Sequence, residues 1–137
     1  PNDINVLGNV LGGRVMHLMD MSAAMSAYRH ARKAVVTASV DQLDFLAPAK
    51  KGDILILKSS VNYVGNTSME VGVRIDTENA KTGDQRHTAS AYLTFVSLNE
   101  KSAPVILDKI NPETKDEIRR YNEAKARYIY RKKIRKI

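Results

Sequence analysis

Asn5-Val6-Leu7-Gly8-Asn9-Val10-Leu11-Gly12-Gly13-Arg14-Val15-Met16-His17-Leu18-Met19-Asp20-Met21-Ser22-Ala23-Ala24-Met25-Ser26-Ala27-Tyr28-Arg29-His30 decides the fold. From about Leu11 to His30 nearly every residue is a good helix former, and proline is absent. Leu11, Val15, Leu18, Ser22 and Met25 fall on one stripe; Met16, Met19, Ala23 and Ala27 fall on the next. A helix apolar on most of its circumference is a buried helix, so other elements must wrap it. Two features are out of place in a plain core helix. Gly12-Gly13 occupies the start, where Ser, Thr, Asp or Asn normally caps. Asp20 stands mid-helix between Met19 and Met21, with Met16 one turn before and Ala24 one turn after. A carboxylate in such company is costly unless it is paired or used.

Beyond this helix the pattern changes from period 3.6 to period 2. Ala34–Phe45 is rich in β-branched residues and stops before Pro48; Lys50-Lys51-Gly52-Asp53 reads as a turn. Ile54–Val64 is a second strand, ended by Gly65-Asn66. Ser68–Thr77 alternates, with Met69, Val71, Val73 and Ile75 on one face and Glu70, Gly72, Arg74 and Asp76 on the other. Glu78–Gln85 is a polar hairpin loop, and His87–Leu98 is the fourth strand. One buried helix followed by four strands joined by hairpins predicts an α+β domain, an antiparallel meander curled round the helix. A last helix over 112–137 opens at Asn111-Pro112-Glu113-Thr114, with a thin stripe of Ile118, Tyr121, Ala124, Tyr128 and Ile129 and a cationic end.

Composition narrows the function classes. A chain of 137 residues is one domain with room for a single core. It has no cysteine, which excludes disulfides and Cys-based metal sites. No apolar run approaches the roughly 20 residues that span a bilayer, and no signal-peptide pattern appears, which predicts a cytoplasmic protein with no membrane partner. The net charge of +7 is concentrated at one end: residues 112–137 carry ten Lys/Arg against four acids. A nucleic-acid binder would spread such charge or interleave it with aromatics, so none is expected as a partner. His17, His30 and His87 are too scattered for a metal site.

The string Asn5-x-x-Gly8-x-x-x-Gly12-Gly13-x-x-Met16-x-x-Met19-Asp20 resembles the signature of the hot-dog-fold acyl-CoA thioesterases, in their cytosolic acyl-CoA hydrolase branch. Val36-Thr37-Ala38-Ser39-Val40-Asp41, Phe45-x-x-Pro48, Gly52-Asp53, Asn66-Thr67-Ser68-Met69-Glu70-Val71, Phe95-Val96-Ser97-Leu98-Asn99 and Pro112-Glu113-Thr114 follow in the family's order. The resemblance implies a hot-dog domain over 1–137. It also implies a further strand before Asn5, which the four preceding residues are too few to form; the chain begins at Pro1, as a piece cut from a longer product would.

What it implies chemically is hydrolysis of fatty acyl-CoA to fatty acid and coenzyme A. Asp20 would be general base or nucleophile, Asn5 would hold the water or carbonyl, and Gly12 and Gly13 amides would contact the oxyanion. Gly65, Asn66, Thr67 and Ser68 would lie near bound coenzyme A, which is part of the substrate; no cofactor or metal is implied. Edge-to-edge dimers paired into a trimer of dimers would complete the assembly. The chemistry demands such groups in any case. Free N–H groups at a helix start suit a developing oxyanion, and glycine lets the substrate approach them. A carboxylate among apolar side chains has its charged form disfavoured, which favours a water-activating base.

Taken singly, each element has a plainer reading. Asp20 could pair with His17, Asn5 could be a turn residue, Arg29-His30 could close the helix, and Thr67-Ser68 could be ordinary hairpin residues. The terminal charge run could be a solvated face. A non-catalytic acyl-CoA- or nucleotide-binding hot-dog protein is the rival function. Asn5 and Asp20 occurring together favours the enzyme.

Overall fold

The computed structural model describes residues 3–135. It consists of α1 (Gly12–Ala31), β1 (Ala34–Phe45), β2 (Ile54–Val64), β3 (Ser68–Glu78), β4 (Gln85–Leu98) and α2 (Lys115–Arg135), so every element expected from the sequence is present. α1 ends in a left-handed turn: Arg32 has φ 56°, and its N–H donates to the Tyr28 carbonyl at 2.7 Å.

The strands form one antiparallel sheet in the order β1-β4-β3-β2, which corrects the simple meander. β2, β3 and β4 are joined by hairpins, but β1 pairs with β4 and not with β2. The connection from Phe45 to Ile54 therefore passes the ends of β4 and β3 to the opposite edge. It is hydrogen-bonded along the way. Leu46 and Ala47 amides donate to Thr88 O, and Ala49 O accepts the Val10 amide at 2.7 Å.

α1 packs on one face of the sheet. Its buried residues recur every fourth position, Val15, Met19, Ala23 and Ala27, and meet Met69, Val71, Val73, Ile75, Ala89, Ala91, Leu93 and Phe95. The alternation read from β3 places this apolar set on one face. Ser59 of β2 adds a polar link, hydrogen-bonded to Ser22 and Ser26 at 3.1 and 2.6 Å. The helix is less enclosed than its composition predicts. Met21, Met25 and Tyr28 are 51%, 68% and 54% exposed, because a single sheet covers only one stripe of a cylinder.

α2 crosses the other face of the sheet. Its cap is a reciprocal pair: Glu117 N–H donates to Thr114 Oγ1, and Thr114 N–H donates to Glu117 Oε1, both at 3.1 Å. The helix thus begins after Thr114, and Pro112 precedes the cap instead of forming the first turn. Ala124 is fully buried, and Tyr63 stacks obliquely on Tyr121 and Tyr128 at centroid separations of 5.1 and 5.2 Å. Ile118 and Ile129 of the expected stripe are largely exposed. The basic run is also more than a solvated face. Arg127 donates to both oxygens of the buried Glu70 at 2.8 and 3.1 Å, and Arg131 is shared between Glu70 and Asp41 at 3.3 and 3.2 Å. Glu70, on what reads as the polar face of β3, is buried under this layer, and Asp76 of the same face is buried beside Arg74 and Lys58.

Candidate active site

The start of α1 is uncapped. Leu11 is the N-cap residue, and no side chain among the described residues satisfies the first turn. Its carbonyl accepts the amides of Arg14 and Val15 at 3.0 and 3.1 Å, whereas the amides of Gly12 and Gly13 have no acceptor among the described residues. Both glycines are exposed. A side chain at Gly13 would meet open space, and one at Gly12 would approach the Phe45 ring at 3.5 Å. Two unpaired N–H groups at the positive end of a 20-residue helix face the outside, a donor pair for a developing negative charge.

Asn5 is held beside this end. Residues Asn5 to Asn9 form a loop closed by the Ile4–Val10 bridge, which delivers the chain to Leu11. The turn reading of Asn5 holds for its side-chain oxygen, which accepts the amides of Leu7 and Asn9 at 2.9 and 3.1 Å. Its Nδ2 has no acceptor among the described residues. The loop therefore aligns the side chain while leaving a donor unspent.

Asp20 lies two turns further along the same helix, half-buried. Its Oδ1 accepts a hydrogen bond from Thr37 Oγ1 of β1 at 2.7 Å, and no ion pair to His17 occurs among the described residues. Oδ2 remains available. Thr37 thus touches Asp20, a contact to which the sequence reading assigns no role. Its signals are a hydroxyl in a β-branched strand and a place in the family-like string Val36–Asp41, whereas the helix-to-strand contact itself is long-range. Eight residues separate Gly12 from Asp20, roughly 12 Å at about 1.5 Å rise per residue. One chain thus groups Asn5 with the glycine pair and leaves Asp20 apart.

The Gly65–Ser68 turn is a second feature. Gly65 N–H donates to Ser68 O at 2.8 Å, Asn66 O accepts the Leu107 amide at 2.8 Å, and the Lys109 ammonium donates to the Gly65 carbonyl. Asn66, Thr67 and Ser68 line a cavity of about 270 Å³ whose opposite wall is Tyr128, Arg131 and Lys132 of α2. Gly65 lies against the same ring: a Cβ there would stand 3.0 Å from the Tyr128 ring, a tight approach that glycine avoids. Burial works against the neighbouring Arg127 guanidinium, but hydrogen bonds and attraction to Glu70 outweigh it and hold its pKa above the ordinary value. Arg131 is occupied by carboxylates of the sheet, whereas Lys132 forms no salt bridge among the described residues and stands 4.8 Å over the Tyr128 ring. No cluster of three or more metal-ligating side chains occurs among the described residues, and none of their helices is long and apolar enough to cross a membrane.

The family model of the thioesterase superfamily matches residues 7–83. An uncharacterized acyl-CoA thioester hydrolase of Bacillus subtilis is 41% identical over 132 residues, 96% of this chain and 77% of that protein. The cytosolic acyl coenzyme A thioester hydrolase of Rattus norvegicus is 37% identical over 134 residues, but this chain spans only 35% of its length. Among solved structures, an apo-hexameric acyl-CoA thioesterase superposes with a TM-score of 0.93 at 43% identity, covering 97% of this chain and 85% of that one. The acyl-CoA hydrolase of Staphylococcus aureus, solved with butyryl coenzyme A and coenzyme A, gives 0.90 at 39% identity over 98% of this chain and 82% of that one. Structures of that hydrolase also exist with an Asp, an Asn or a Thr replaced by Ala; the Asn lies fifteen positions before the Asp, and the Thr seventeen after it. The chain belongs to the thioesterase superfamily and has its hot-dog fold.

Proposed function

We propose that this chain is an acyl-CoA hydrolase, converting fatty acyl-CoA and water to fatty acid and free coenzyme A. The observation that carries this is the Asp20 carboxylate, mid-helix, fixed by Thr37 at 2.7 Å with its second oxygen free. Asn5, Asp20 and Thr37 stand at the same intervals, fifteen and seventeen, as the three residues replaced in the Staphylococcus aureus hydrolase. Asp20 acts as general base on water, or as nucleophile on the thioester carbonyl. Asn5 Nδ2 orients the water or the carbonyl, and the Gly12 and Gly13 amides stabilise the oxyanion. Thr37 holds Asp20 in place. The cavity between the Gly65–Ser68 turn and α2 takes the nucleotide end of coenzyme A. No metal takes part.

Since base and oxyanion donors lie roughly 12 Å apart on one helix, each active site draws on two chains. The glycine end of one α1 meets Asp20 of an antiparallel partner about a twofold axis. The exposed Met21, Met25 and Tyr28 supply an apolar surface for that contact. Dimers assemble further into a trimer of dimers, a reading supported by the hexameric state in the name of one solved relative. The protein works in the cytoplasm, as the name of the rat relative says of that protein.

A thiol-release assay over acyl-CoA chain lengths tests the function. Wild type should release thiol from at least one chain length. Asp20→Ala should lower kcat by at least a hundredfold, because its base is gone, and leave the fold intact or slightly more stable. An Asp20→Ala variant with near-wild-type turnover would remove Asp20 from the reaction.

A further inference from the structure

The face of the sheet opposite α1 holds a second cavity, of about 480 Å³, under the first half of α2. Lys58 of β2, Arg74 of β3, and Arg119 and Arg120 of α2 converge on it from three elements. Two carboxylates partly offset them. Asp76 binds Arg74 at 2.8 Å and Lys58 at 3.8 Å, and Glu123 binds Arg119 at 3.4 Å. A third carboxylate, Glu117, attracts Arg120 without forming a salt bridge, and four cations against three carboxylates leave the cleft an excess of positive charge.

Its floor is built. Asn62 is 4% exposed, and its side-chain oxygen accepts the Ser60 hydroxyl at 2.9 Å. That bond turns the amide nitrogen over Gly72, where a Cβ would lie 2.5 Å from Nδ2, so glycine lets the amide hold this position unshifted. Nδ2 has no acceptor among the described residues, and Asn62 lines the cavity. The cavity wall therefore presents an amide donor, held in place by its own hydrogen bond, beneath converging cations.

We propose that this cavity binds a phosphorylated small molecule through its phosphate groups. Phosphate oxygens accept from Asn62 Nδ2 and Arg120, and draw Lys58, Arg74 and Arg119 away from carboxylates that only partly neutralise them. A volume of about 480 Å³ is within the range of small-molecule sites and larger than one phosphate needs, so the ligand carries an organic portion as well. The site is distinct from the catalytic one, because the sheet stands between it and α1. It is also distinct from the cavity at the Gly65–Ser68 turn, which lies toward the other end of α2.

Isothermal titration with pyrophosphate, on the full chain at physiological ionic strength, tests this; surface attraction is largely screened there. Wild type should bind pyrophosphate saturably and more tightly than inorganic phosphate. Arg120→Ala and Asn62→Ala should each weaken pyrophosphate about tenfold, with circular dichroism confirming that each variant is folded. Lys132→Ala, at the other cavity, should keep the Arg120-dependent binding intact and can lose only a separate event, pyrophosphate in the cavity assigned to the nucleotide end of coenzyme A. Absence of saturable binding overturns the proposal, as does wild-type affinity in a folded Arg120→Ala. A loss in Lys132→Ala equal to that in Arg120→Ala overturns it too, because the probe would then sit in the coenzyme A cavity. None of these readouts depends on hydrolysis, so this site and the thioesterase reading can fail separately.

Discussion

Glu70 shows how much one side chain can carry. Its side chain is 1% exposed, and it holds Arg127 by both oxygens and Arg131 by one. Arg127 in turn lies 3.7 Å above the Tyr92 ring. A carboxylate withdrawn from water to this extent is retained only while its partners stay, and so are they. Glu70→Ala leaves two guanidinium groups facing a sheet without their shared carboxylate, which costs about 3–5 kcal/mol. Thermal denaturation should show Tm falling by on the order of 10 °C. Replacing Thr37 by Val acts differently. It removes the hydroxyl that fixes Asp20 but keeps the β-branched shape, so stability should be nearly unchanged. The kcat for acyl-CoA should fall at least tenfold with little change in KM, as expected of a residue that positions the base. A Thr37→Val enzyme with wild-type kcat would show that Asp20 needs no such support.

At the scale of the element, α2 depends on its cap. The Thr114 backbone N–H, and then its hydroxyl, hold the Glu117 carboxyl below the ordinary carboxylate range. A carboxyl lowered in the fold stabilises it above its unfolded pKa, and that contribution is lost as pH falls through the lowered folded value. Wild type should therefore lose stability relative to Glu117→Gln as pH drops from neutrality through the carboxylate range, seen in Tm and in the ellipticity at the helix band. Parallel pH profiles for the two proteins would mean that the cap is not formed in solution. α1 is the reverse case. Its bare glycine start gives up the roughly 1 kcal/mol that a capping side chain contributes. Two amides remain free for chemistry.

At the scale of the whole molecule, the separation of Gly12 from Asp20 is what motivates the proposed two-chain site. Two inactive variants, Asn5→Ala and Asp20→Ala, when mixed and reassembled, should recover activity. Each heterodimer then has one site with both residues intact and one with neither, giving up to half the wild-type rate per heterodimer. Subunit exchange verified by mass without any return of activity would place both residues in one chain's site. Light scattering should give a hexamer, and a stable monomer at micromolar concentration would contradict the proposed assembly.

The ends of β1 and β2 are where the sequence reading and the structure coincide, because Pro48, Gly52 and Gly65 are local chain breakers that act without tertiary help. The alternation in β3 likewise picks out its core face, since the pleat has a period of two wherever the strand lies. Asp20 and the glycine pair stand out locally as well, a charge and a missing cap in an apolar helix. Pairing of β1 with β4 is not legible this way. Strand order rests on ladders between residues far apart in the chain, such as Val36 with Val96, and no local pattern records them. Glu70 alternates like a solvent-facing residue, and only the arrival of α2 buries it with Arg127 and Arg131. Thr37 meets Asp20, and Asn62 meets Gly72, for the same reason. Periodicity reports the conformation and the face of each element, whereas partners and burial arise from long-range packing, which only the tertiary structure decides.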